Sequence, residues 1–247
     1  PTVFLQAILK RPEVELALTR SYNRHLSELC NQSKGRLRFA IVPPLSDIPA
    51  AIQEIEHGRE HGGCAVLFRA LEQDRPLTDP YFFPIYDAAQ ELDIPIAIHV
   101  GNSKSVPPVI PLGGAPLLQT VPVIATLYQL LISDVPERFP RLRFAFLEAS
   151  ASWLPFVLHR AGRHLQRGGA QPKLDPDILE QKRFYVACMS DEDLPYVISK
   201  VGDRCLIIGS DFGHSDIGTD LYAHKLLDER TDLSETSKHR ILNENAR

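Results

Sequence analysis

The sequence predicts an α/β fold organised around a parallel sheet, and three observations carry that expectation. Six short apolar runs, at 38–42, 65–68, 96–100, 143–147, 184–187 and 206–209, punctuate the chain and are near-continuous rather than alternating. Strands covered by helices on both faces read this way. Amphipathic stretches separate the runs, so strand and helix signals alternate about every 25 to 45 residues. Polar, chemistry-bearing residues collect at the C-terminal ends of the runs.

The elements follow in order. Pro12 opens a periodic run through Val14, Leu18, Tyr22 and Leu29, and proline is tolerated in a helix's first turn. Asp47 precedes Ile48, Ile52 and Ile55, an N-cap ahead of apolar residues at helical spacing. Asp79-Pro80 opens another such run, and Asp191 stands before Leu194, Val197 and Ile198. The segment from 101 to about 120 is rich in proline and glycine and predicts a long loop directly after a strand, where function often sits. No Gly/Ser linker or low-complexity stretch divides the chain, so residues 1–247 are expected to form one domain.

Composition narrows the function. Hydrophobic residues make up 44% and charged residues 23% of the chain, an ordinary globular balance that argues against disorder. A net charge of -4 leaves no overall basic footprint for nucleic acid or anionic lipid. No run approaches the roughly 20 apolar residues of a membrane span, and the first residues lack a signal-peptide core. Cys30, Cys64, Cys188 and Cys205 are far apart and form no C-x-x-C pair, so reduced thiols in a cytoplasmic protein are expected. Neither G-x-G-x-x-G nor G-x-x-x-x-G-K-[ST] occurs, which weighs against nucleotide binding. Two architectures remain: an open doubly wound sheet and a (β/α)8 barrel.

The second run ends at Arg69, the third delivers His99 at its end, the fourth is followed by Glu148, and the last by Asp211 with His214 three residues on. In a barrel such ends converge on one face. Imidazole and carboxylate brought together from different strands form a ligand set for a divalent metal.

These residues carry a family likeness. The segments at 96–102, 137–144 and 209–216 resemble the amidohydrolase superfamily, and within it the amidohydrolase-2 group that includes aminocarboxymuconate semialdehyde decarboxylase and related aromatic acid decarboxylases. The resemblance implies a (β/α)8 TIM-like barrel with a divalent metal, zinc or manganese, at its strand ends. It implies that His99 and Asp211 are metal ligands, Asp211 also acting as a base. Glu148 stands where the family often has a histidine and is expected to bind metal directly or to serve as acid/base. The family's first-strand H-x-H or E-x-H pair is absent from this sequence. Counting back from His99 as the fifth strand leaves the first two βα units missing, an expected shortfall of about 80 to 120 residues on common barrel lengths.

The leading expectation is a metal-dependent hydrolase or non-oxidative decarboxylase acting on a small carboxylated or carbonyl-containing substrate. His214 would orient or protonate beside Asp211, Arg69 would clamp a substrate carboxylate, and Asn102 and Trp153 would line the substrate site. Cys188 is expected to be a buried, inert thiol. Two rivals stand beside this reading. A mixed histidine/carboxylate set also suits non-haem iron, possibly dinuclear, in an oxygenase on the same barrel; a non-catalytic degenerate barrel is the other. A homo-oligomer is expected from the resemblance alone.

Overall fold

A computed structural model describes residues 11–101, 116–167, 175–214 and 219–247. All six expected strands are present: β1 (Phe39–Ile41), β2 (Gly63–Arg69), β5 (Ile96–His99), β6 (Phe144–Phe146), β7 (Phe184–Cys188) and β8 (Leu206–Ile208). The intervening β3 (Leu71–Glu72) and β4 (Arg75–Pro76) form a small antiparallel hairpin beyond β2. The large sheet is parallel throughout, in the order β1-β2-β5-β6-β7-β8. Each strand is laid beside its predecessor and the winding never reverses. A doubly wound sheet reverses at its switch point, whereas a barrel does not. The architecture is six strands of a partial (β/α) barrel, with β1 and β8 as the sheet's edges among the described residues.

Helices cover the sheet. These are α1 (Pro12–Gln32), α2 (Ile48–Glu60), α3 (Phe83–Glu91), α4 (Pro116–Ile132), α5 (Val135–Arg138), α6 (Leu154–Arg167), α7 (Ile178–Gln181), α8 (Leu194–Val201), α9 (Ala223–Asp228) and α10 (Glu235–His239). None among the described residues is long and apolar enough to cross a membrane. Asp47 caps α2 as expected, accepting from the Ala50 amide at 3.0 Å. The cap of α8 is Asp193, not Asp191: its carboxylate accepts from the Tyr196 amide. The segment expected to be loop up to about 120 gives way to α4 at Pro116, and proline at a first helical position explains why the helix can begin there.

The helix opened by Pro12 forms, but the face it buries differs from the apolar stripe expected. Its buried residues are Glu15, Thr19, Asn23, Ser27 and Cys30, while Leu18 and Leu29 remain exposed. Asn23 explains the inversion. Its amide donates to the Val42 carbonyl and its Oδ1 accepts the Val42 N–H, both at 3.0 Å, so the side chain pairs with the backbone just beyond β1. Next to it, the buried Glu54 of α2 accepts from Arg20, Asn23 and Arg24 of α1. Polar pairing, every member satisfied, ties α1 to the sheet.

Beneath the strand ends lies an aromatic core. Phe68, Phe82, Tyr86, Phe139, Phe144 and Phe184 are fully buried and meet largely edge to face, the arrangement ring quadrupoles favour. Tyr86 keeps its hydroxyl satisfied by donating to the Leu77 carbonyl at 2.6 Å. At the β1 edge, α2 approaches through Gly58 and Gly63. A Cβ on Gly63 would lie 2.6 Å from Ile41 Cγ1 and 2.8 Å from the Gly58 carbonyl, so only glycine permits this contact.

Candidate metal centre

The strand ends of β5, β6 and β8 bring four of the expected residues together. His99 closes β5, and its Nδ1 donates to the Val100 carbonyl at 3.1 Å. A carbonyl only accepts, so Nδ1 carries a proton. That Nε2 is 2.8 Å from Glu148 Oε2. This contact is an ion pair when the imidazole is charged, and Oε2 is otherwise buried without a hydrogen-bond partner. Glu148 Oε1 faces His214, 3.6 Å from Nδ1. His214 Nδ1 donates to Asp211, 2.9 Å from Oδ1 and 3.0 Å from Oδ2.

The backbone is bent to achieve this. Glu148, Ser150 and Asp211 all have positive φ, at 56°, 55° and 49°. Non-glycine residues adopt that region at a cost, and such outliers gather at functional sites. Charge is also unevenly compensated. Burial opposes a proton on His99, but Glu148, the Val100 carbonyl and Asp211 outweigh it and hold the imidazole above its ordinary value. The contact with His99, against the effect of burial, holds the Glu148 carboxyl below its usual range.

A pocket of about 220 Å³ opens beside these groups, lined by the polar His99, Glu148 and Asp211 and by the apolar Leu147, Ala187, Met189, Ile207 and Ile208. Cys188 lines it too; the thiol is 2% exposed, and burial pushes it up to about 12. It is the inert thiol the sequence predicts.

Glu148, Asp211 and His214 each offer a ligand atom within 4.8 Å of the others, and His99 adjoins that group through Glu148. Two carboxylates with imidazoles beside them suit zinc, manganese or iron. The buried Glu148 Oε2 faces only the His99 ring and is available as a ligand atom. These residues fit a divalent cation.

Two expectations are corrected. Arg69 does not present a free fork to a substrate: its side chain is 3% exposed, and Nε and Nη2 are bound to the Glu72 carboxylate, with Nη2 to Oε2 at 2.6 Å. Glu72 also accepts the Arg69 backbone amide at 2.7 Å, so the hairpin β3–β4 closes over the guanidinium. Trp153 does not wall the pocket. Its indole N–H donates to the Ala149 carbonyl at 2.7 Å and its ring packs against the core. Asn102 lies outside the described residues.

The amidohydrolase family model of the amidohydrolase-2 type matches residues 5–247. The chain belongs to the amidohydrolase-2 family. Within reach of this family assignment, a 2-amino-3-carboxymuconate-6-semialdehyde decarboxylase of Dictyostelium discoideum is 23% identical over 252 residues, covering 96% of this chain and 67% of its own. A 2-keto-4-carboxy-3-hexenedioate hydratase of Sphingobium is 26% identical over 70% of this chain, which spans half of that relative. A 5-carboxyvanillate decarboxylase from Novosphingobium aromaticivorans, solved with manganese and 3-methoxy-4-hydroxy-5-nitrobenzoic acid, superposes with a TM-score of 0.77 at 21% identity over 93% of this chain and 69% of that one. These likenesses place the amidohydrolase-2 chain on a TIM-barrel fold and within an enzyme family.

Proposed function

We propose that this chain carries the metal centre of a non-oxidative decarboxylase acting on a small carboxylated substrate. The observation that carries the reading is the convergence of Glu148, Asp211 and His214 beside His99 at the mouth of an apolar pocket. His99 through Nε2, Glu148 and Asp211 would hold the cation. A divalent ion there supplies positive charge toward a substrate oxygen. The decarboxylases among the relatives support the reaction class, and none of the three relatives described above is an oxygenase. The proposal takes residues 1–247 as one barrel domain.

Loss of carbon dioxide breaks a carbon–carbon bond, leaves the electron pair on carbon and requires a proton there. His214 suits that delivery. It donates through Nδ1 to Asp211, and its half-exposed ring reaches solvent. Asp211 orients the imidazole by accepting from its Nδ1. Leu147, Ala187, Met189, Ile207 and Ile208 make much of the lining apolar, which disfavours the charged carboxylate relative to neutral carbon dioxide.

Metal analysis of the full-length protein tests the assignment, with carbon dioxide release from a panel of aromatic and olefinic carboxylates as the activity. His99→Ala and Asp211→Ala are expected to lose the metal and all turnover. His214→Ala is expected to keep the metal and lose turnover by about 10²- to 10⁴-fold. Loss of metal in His214→Ala as well would make that residue a ligand. Wild-type protein that takes up no divalent metal would overturn the proposal.

A further inference from the structure

Glu192 lies outside the pocket, yet its carboxylate gathers more backbone donors than any ligand candidate. Oε1 accepts from the Ala151 amide at 2.8 Å, the Ser152 amide at 2.6 Å and the Ser152 hydroxyl. Oε2 accepts from the Met189 amide at 2.8 Å and again from Ala151 at 3.1 Å. One side chain thus ties the turn after β6 to the turn after β7. The first turn contains Glu148 and Ser150, both in the left-handed region. The second contains Met189, part of the pocket wall.

The loop bearing Glu192 is itself fixed. Arg230 Nη1 donates to the carbonyls of Ser190 and Glu192 at 2.8 and 2.7 Å, while Arg230 Nε donates to Asp232. The Ser190 hydroxyl donates to Asp220, whose amide donates to the Ser210 carbonyl beside Asp211. Hydrogen bonds therefore run from the turn bearing Glu148, through Glu192 and Ser190, to the turn bearing Asp211.

We propose that Glu192 is a positioning residue, which holds the 148–152 turn in its left-handed form and so sets the Glu148 carboxylate against Asp211 and His99. A carboxylate suits the task because both oxygens accept, and four donors converge on it in five contacts. It also stands at the N-terminal end of α6, where negative charge is favoured. Without those bonds, Glu148 and Ser150 have reason to relax to negative φ, and the carboxylate turns away from its partners.

The inference rests on the metal reading above, and its test separates the two. Mn²⁺ binding is measured by titration calorimetry on full-length wild type, Glu192→Gln, Glu148→Gln and the double variant. Glutamine keeps the size but replaces one acceptor by an amide that faces N–H donors. Glu192→Gln is expected to weaken Mn²⁺ binding by about 10- to 100-fold. In the Glu148→Gln background the same change is expected to cost less than about 2-fold, because the residue acts through Glu148. Adding Ser150→Gly, which favours positive φ, is expected to restore part of the affinity of Glu192→Gln.

Binding within about 2-fold of wild type, or equal losses in both backgrounds, would overturn the proposal. Amide hydrogen exchange on the metal-free protein gives an independent reading. Glu192→Gln is expected to speed exchange about tenfold or more throughout 148–152 without raising it across the sheet; acceleration confined to Met189, Ala151 and Ser152 would overturn the inference. If wild type binds no Mn²⁺, the metal reading fails, and exchange alone decides the role of Glu192.

Discussion

The ends of β2 and β6 carry opposite solutions to the same problem, a charge delivered to the rim of a barrel. At β2, Arg69 and Glu72 are both about 1–3% exposed and satisfy each other through the side-chain fork and a backbone amide. At β6, Glu148 is about one-fifth exposed, keeps a buried oxygen without a hydrogen bond, and sits on strained backbone. The first arrangement is closed and has nothing left to offer a ligand. The second is held open, and holding it open requires other residues. A charged strand end therefore becomes chemical only where its partners leave it incompletely paired.

Removing one member of each pair tests this contrast most sharply. Glu72→Ala strands a buried guanidinium and is expected to destabilise the protein by about 3–5 kcal/mol, measured by urea denaturation, with metal uptake retained by the folded fraction. Glu148→Ala is expected to change the stability of the metal-free protein by about 1 kcal/mol or less while weakening, though not abolishing, metal uptake. If the two variants exchange these effects, the contrast between closed and open rims is wrong.

The smallest expected effect is the pH dependence of the metal-free protein. His99 is raised above 6.5, so its contribution to stability is complete below that value and is lost as pH rises through the folded-state value. Glu148 is lowered below 4.5, so its contribution is present above 4.5 and is lost as pH falls through the folded-state value. Together they favour the folded state most between about pH 4.5 and 6.5. Thermal denaturation across this range is expected to show the maximum in wild type and a flatter profile in His99→Ala. An unchanged profile would remove the His99–Glu148 pair from the account.

Much of the sheet was legible because parallel strands buried on both faces announce themselves as continuous apolar runs. The rim residues His99, Glu148 and Asp211 were legible for the same reason, each standing where such a run stops. Arg69 occupied an equivalent position, but its partner lies in a hairpin of two-residue strands, too short to show a period. That hairpin turns at Gln73 and Asp74, both at positive φ without a glycine to signal it. The buried face of α1 was hidden because Asn23 and Glu15 are polar, and their partners come from beyond β1 and lie 19 and 31 residues away. Glu192 left no local signal, since its donors come from a turn some 40 residues earlier.

Cys188 gives the pocket a chemical preference. Burial pushes its thiol up, so the protonated thiol prevails at neutral pH. The donors that converge beside it are oxygen and nitrogen, a set that suits zinc, manganese or iron. The same burial protects the enzyme from peroxide and alkylating agents at the one sulfhydryl that faces its chemistry.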